Sequence, residues 1–102
     1  MITLVRTISI HDGKLGDAIA WSVKVTNYIV EKHGLKGQVS RNIGGAGYQI
    51  HFVSSYHSLA DFEKAMKQVE ADPGYMALVL EARQQGLFIG ASVKDALYES
   101  IP

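Results

Sequence analysis

The sequence predicts an α+β fold: a four-stranded antiparallel sheet with helices packed on one face. Three observations predict it. Hydrophobic residues recur with a period of two, then 3.6, then two and two, then 3.6, then two again, which reads as β-α-β-β-α-β with an extra helical stretch before the last strand. Gly44-Gly45-Ala46-Gly47 separates two alternating runs, as in a hairpin. Local start and stop signals bracket the helical stretches: Gly34 and Gly86 behind them, Ser58 and Asp72-Pro73 in front of the later two.

The first strand is expected from about Ile2 to Ile10, with Ile2, Leu4, Arg6, Ile8 and Ile10 on one face and Thr3, Val5, Thr7 and Ser9 on the other. His11-Asp12-Gly13 supplies turn chemistry. A helix over about Lys14 to His33 carries Leu15, Ala18, Ile19, Ser22, Val25, Ile29 and Val30 along one side, widened by Trp21 and Tyr28. Its second half is rich in β-branched residues, which weakens its intrinsic helicity. Gly34 suits the left-handed position that ends a helix.

Strands over Gln38–Ile43 and Tyr48–Ser54 follow. A symmetric turn sets Ile43 opposite Tyr48, Arg41 opposite Ile50 and Ser40 opposite His51. Ser58, with Asp61 three residues on, opens a helix whose buried stripe is Leu59, Phe62, Met66 and Val69. Asp72 as N-cap and Pro73 at the first helical position open another, with Met76, Val79, Leu80 and Arg83 on one face. The last strand is expected from about Ser92 to Ile101.

These elements join most simply as a ferredoxin-like β-α-β-β-α-β domain spanning residues 1–102, because both crossings must be right-handed and the central hairpin antiparallel. The helix-facing side of the sheet then collects Ile2, Leu4, Ile8, Val39, Ile43, Tyr48, Ile50, Phe52, Val93 and Leu97. The other side collects Thr3, Val5, Thr7, Gln38, Ser40, Asn42, Gln49, His51, Val53 and Tyr98. A solvated sheet face would carry more Lys and Glu. This mixture suits contact with a second sheet, with polar groups satisfied across it.

Composition excludes several functions. Ten basic and ten acidic residues cancel, so there is no electrostatic footprint for nucleic acid or an anionic membrane. No cysteine is present, which removes disulfides, thiol nucleophiles and thiolate metal sites. His11, His33, His51 and His57 show no ligand spacing, so no metal is expected. The N-terminus alternates like a strand rather than a signal peptide, and no apolar run reaches membrane-spanning length, so the expected location is cytoplasmic. Gly44–Gly47 lacks the Lys-Ser/Thr ending of a phosphate loop and joins two strands, so it reads as a turn.

The element order, the length, the stretch Ala71-Asp72-Pro73-Gly74-Tyr75-Met76-Ala77 and the Gly90-Ala91-Ser92 lead into the last strand together resemble the dimeric α+β barrel proteins. The antibiotic-biosynthesis-monooxygenase-like and NIPSNAP-like branches are the nearest. The resemblance implies a homodimer in which two sheets close into one barrel. Gly74 departs from the acidic residue usual there. Related monooxygenases orient polycyclic phenols with Trp, Tyr and Asn, which carries over residue types only. Haem-degrading relatives use a helix His and a first-strand Asn. The first strand here has no Asn and the second helix no His, so the resemblance implies no cofactor, although His33 lies on the first helix.

The candidate site residues are therefore Arg6 and Arg41, two guanidiniums on otherwise apolar strand faces, with the aromatic residues Trp21, Tyr28, Tyr48 and Tyr75. A buried guanidinium demands a partner, and Asp95 and Glu99 share a face of the last strand. One reading is an internal ion-pair set. The other is an anion clamp for a small aromatic or polyketide-like acid, held by Arg6, Arg41, Trp21, Tyr28 and Tyr75, with Tyr48 or His51 moving a proton. His51 has an alternative structural role, bonded to Ser40 or to a group across a dimer. Two functions follow: a cofactor-independent monooxygenase or isomerase, in which the substrate supplies the carbanion, or a non-catalytic ligand-binding or assembly module. Neutralisation of both arginines by Asp95 and Glu99 would favour the module. A free guanidinium in a pocket would favour the enzyme.

Overall fold

A computed structural model describes residues 1–45 and 47–102. Its elements run β1 (Ile2–Ser9), α1 (Leu15–His33), β2 (Lys36–Arg41), β3 (Gln49–Tyr56), α2 (Leu59–Glu70), α3 (Pro73–Gln84), a 3-10 turn over Gly90–Ser92, and β4 (Lys94–Glu99). The sheet order is β2-β3-β1-β4, with every neighbouring pair antiparallel. This is the ferredoxin-like arrangement expected from the element order.

Local chemistry sets the helix ends. Gly34 closes α1 at φ 65°, and its N–H donates to the Val30 carbonyl at 3.1 Å. The β-branched second half of α1 is helical throughout, because Val25 is buried and Ile29 and Val30 half-buried against the sheet side. Tertiary packing overrides weak propensity here. Ser58 accepts from the Asp61 N–H at 3.1 Å, and Asp72 accepts from the Gly74 N–H at 2.8 Å with Pro73 behind it.

The core forms two clusters on the helix side of the sheet. Ile10, Ala18, Ile50, Ala82 and Leu87 form one, with Ile8, Trp21, Phe52 and Phe88 packed around it. Ile2, Leu4, Tyr56 and Ala65 form the other, with Leu35, Phe62 and Met66. The small residues Ala18, Ala65 and Ala82 let the helices approach at these two places.

Several expectations change. Arg41 faces Ile50 and Ser40 faces His51 as the turn geometry requires, but Ile43 and Tyr48 do not pair. The Asn42 side chain takes over from the ladder: its Oδ1 accepts from the Gln49 N–H at 3.0 Å, and its Nδ2 donates to the Gly47 and Gly44 carbonyls at 2.7 and 3.2 Å. Beyond that seal, Ile43 is 96% and Tyr48 64% exposed, not on the helix-facing side. The expected turn includes Ala46, which lies outside the described residues. β4 begins two residues later than expected. Ser92 instead binds the end of β1, accepting from the Ser9 N–H at 2.8 Å within the 3-10 turn. β4 is an edge strand with little helix cover, so Leu97 is exposed rather than core, as is Val93 between the 3-10 turn and the strand. The buried side of α3 is also rotated from the expected one: Ala82 is buried and Tyr75, Leu78 and Val79 are half-buried, while Met76 and Leu80 are exposed.

Candidate functional site

Between the two core clusters lies a cavity of about 680 Å³. Its sheet wall is Leu4, Arg6 and Ile8 of β1 and Phe52, Ser54 and Tyr56 of β3. α1 contributes Trp21, Val25, Ile29 and Val30, and α3 contributes Tyr75, Val79, Ala82 and Arg83. Tyr75, Val79 and Arg83 recur every four residues, so they form one row along α3. Phe88 and His11 line the end beside Arg83, and Met66, Val69 and Glu70 come from α2.

Trp21 anchors the aromatic wall. Its Nε1–H donates to the Leu78 carbonyl at 2.8 Å, which ties α1 to α3. Its ring meets Phe88 and Phe52 edge-on, with centroids 5.5 and 6.4 Å apart.

Arg6 is the polar centre of the sheet wall. It stands opposite Asp95 across the β1–β4 ladder, with Nε and Nη2 donating to the two carboxylate oxygens at 2.7 and 2.8 Å. This hydrogen-bonded pair raises the guanidinium's pKa and holds the Asp95 carboxyl below the usual carboxylate range. Tyr75, which also lines the cavity, contributes in the same direction. Both side chains of the pair are about 40% exposed, so solvent screens it and its net contribution to stability is below about 1 kcal/mol.

The expected constellation therefore assembles only in part. Arg6, Trp21 and Tyr75 line the cavity. Arg41, Tyr28, Tyr48 and His51 do not. Arg41 is exposed at the end of β2 and makes no ion pair with any described residue, and Glu99 stands opposite Ile2 instead of reaching it. Tyr48 lies beyond the Asn42 seal. His51 points to the opposite side of the sheet, where its Nδ1 and the Thr7 hydroxyl are 2.9 Å apart. Thr7, not Ser40, is its partner.

Tyr28 does other work. Its hydroxyl sits 2.9 Å from both oxygens of Asp72, a side chain buried at the start of α3. His33 Nε2 lies 2.8 Å from the same carboxylate, and Lys32 Nζ 3.8 Å. Burial pushes this carboxyl up, but the bonds from His33, Tyr28 and the Gly74 N–H, with the Lys32 charge, outweigh it and lower its pKa to about 2. His33, the helix histidine, is thus engaged at this junction. Gly74 is explained by the same contact. A Cβ there would run into the Tyr28 hydroxyl and lie 2.8 Å from its Cζ.

Arg83 was not singled out by sequence as a site residue. It lines the cavity and has no ion-pair or hydrogen-bond partner among the described residues. The signal available was a lone cation two turns along the helix from Tyr75. No group of three or more His, Asp or Glu among the described residues is arranged to hold a metal. No helix of the described residues is long and apolar enough to cross a membrane.

No family model matches the sequence, and no curated protein matches it. Solved structures do. An uncharacterised NIPSNAP domain protein from Burkholderia xenovorans superposes with a TM-score of 0.83 at 14% identity, covering 99% of this chain and 95% of that one. The chain shares its fold with NIPSNAP and antibiotic biosynthesis monooxygenase structures. SnoaB, a cofactor-independent oxygenase from Streptomyces nogalater, matches at TM-score 0.69 and 14% identity, over 97% of this chain and 91% of that one. A dimeric protein of unknown function from Bacteroides fragilis, described as having a ferredoxin-like fold, matches at 0.73 and 15%, over 97% and 95%.

Proposed function

We propose that this chain is a homodimer that binds a small aromatic or polyketide-like acid in the cavity of each subunit, and acts on it without a cofactor. The observation that carries this reading is the cavity itself. It has the volume of a ligand site, aromatic rings on its walls and two guanidiniums among its lining. The dimer is supported by the polar face of the sheet, which lies opposite both core clusters, and by the dimeric protein with this fold.

The chemistry that suits such a site is oxygenation or isomerisation of a substrate that supplies its own carbanion. Insertion at an activated CH2 group balances without an added reductant: CH2 and O2 give C=O and H2O. In this reading Arg6 and Tyr75, which both line the cavity, donate to a substrate oxygen as charge develops on it. His11, which lines the cavity, replaces His51 and Tyr48 as the group to move a proton.

A second reading, a ligand-binding module without catalysis, is favoured by one observation: Asp95 already neutralises Arg6. A panel of naphthoic and hydroxynaphthoic acids, read by thermal unfolding, tests the site. A ligand at a hundred times its Kd adds about 2.7 kcal/mol and raises Tm by several degrees. No shift with any member contradicts the binding proposal. Oxygen uptake with the compounds that bind separates the enzyme from the module.

A further inference from the structure

Resting on the ligand-binding reading above, we propose that Asp95 fixes the direction in which an acid enters the cavity, so that the carboxylate is held by Arg83 and not by Arg6. The lining carries charge at three places. Arg6 is in the middle of the sheet wall, Arg83 is on α3, and Glu70 is at the end of α2. Arg6 would be the natural anion site from its position on an apolar wall. Its Nε proton and one Nη2 proton, however, are already taken by Asp95 in a bidentate pair.

Asp95 does not line the cavity whereas Arg6 and Tyr75 do, so only the guanidinium protons that Asp95 leaves unused are open to a ligand. A second carboxylate on those protons would share one positive charge with the first at short range. Like charges bracketing one cation repel, and partial solvent exposure reduces but does not remove this penalty. A neutral carbonyl or hydroxyl oxygen meets no such penalty and takes up the same donors. Arg83, by contrast, has no acidic partner among the described residues. It follows Tyr75 by eight residues, about 12 Å along the helix at 1.5 Å per residue. Glu70 repels a carboxylate from the α2 lining as well. An acid therefore lies with its charged end at Arg83 and its neutral oxygen function at Arg6 and Tyr75.

The test uses 2-naphthoate and its uncharged counterpart 2-naphthamide, titrated into the protein. Trp21 is the only tryptophan, so its indole N–H gives a single NMR resonance from the cavity wall. Arg83→Gln is expected to weaken 2-naphthoate about five- to ten-fold and 2-naphthamide less than two-fold. Adding Asp95→Asn to that variant frees Arg6 and is expected to restore 2-naphthoate to within about two-fold of wild type. A ten-fold change corresponds to about 1.4 kcal/mol.

Unchanged 2-naphthoate affinity in Arg83→Gln overturns the assignment of the anion seat. Failure of the double variant to regain affinity, with its amide spectrum otherwise intact, overturns the role of Asp95. If neither probe moves the Trp21 resonance in the wild-type protein, the binding reading falls and this inference with it.

Discussion

Gly74→Ala should destabilise this protein although it replaces glycine in a helix, and removing Tyr28 should reverse the sign. Gly74 does not adopt a left-handed φ, so backbone conformation does not require glycine there. Space requires it: the new methyl would meet the Tyr28 hydroxyl, lie 2.8 Å from Cζ and 3.3 Å from an Asp72 carboxylate oxygen. Tyr28 cannot swing aside cheaply, because its hydroxyl is bonded to Asp72. Forcing a methyl into such a contact costs about 1–3 kcal/mol, against a helix-propensity gain of at most about 1 kcal/mol. With a ring carbon at 2.8 Å the cost falls in the upper part of that range, about 2–3 kcal/mol, so the net loss is about 1–2 kcal/mol, a fall of roughly 5–10 °C in Tm for a chain of this size.

In a Tyr28→Ala background the obstruction is gone, and Gly74→Ala should then stabilise by up to about 1 kcal/mol. Tyr28→Phe retains the ring carbon and should relieve only part of the penalty. Chemical denaturation of the four proteins in the double-mutant cycle, at one fixed protein concentration, measures this directly. Equal effects of Gly74→Ala in both backgrounds, or a neutral effect in the wild type, would refute the packing account.

The same junction predicts a pH response. The folded Asp72 carboxyl titrates at about 2 and its ordinary value is 3.8, so its contribution is complete above about pH 4 and is lost as pH falls toward 2. Asp72→Asn should flatten that acid limb in a series of Tm measurements; an unchanged limb would exclude Asp72 as its source. Arg41→Leu should leave binding of any cavity ligand within about two-fold by calorimetry, since Arg41 is exposed and outside the cavity; a large loss would show that it reaches the ligand. His51→Glu places a charge on the polar sheet face and, if that face forms the proposed dimer, should give a monomer in sedimentation velocity by like-charge repulsion between subunits. An intact dimer would mean that another surface mediates association.

What the sequence showed, it showed through local chemistry. Ser58 and Asp72-Pro73 start helices and Gly34 ends one through bonds within a few residues, and the structure has those caps. The pairing of Arg41 with Ile50 follows from turn length. Arg6 with Asp95 was legible as two opposite charges on facing strand sides, although their separation of 89 residues left the choice between Asp95 and Glu99 open. Other features depend on events that leave no periodic mark. Asn42 ends the hairpin ladder with its side chain, so the alternation that placed Ile43 and Tyr48 inward stops short of them. A cavity also blurs the equation of apolar with buried. α3 turns Tyr75, Val79 and Arg83 toward open space and leaves Met76 and Leu80 in solvent, so hydrophobicity misjudged its working face. The Tyr28–Asp72–His33 cluster joins residues some 40 positions apart. Its one sequence trace was Gly74 in a place where the resembling family has an acidic residue.

Native mass spectrometry of the purified protein, before and after incubation with the naphthoic acid panel, tests the central claim most directly, because it reports subunit number and bound mass together. The account predicts a species of twice the 11.2 kDa chain that holds one small aromatic acid per subunit. A monomer, or a dimer that retains no small molecule under any of these conditions, would contradict it.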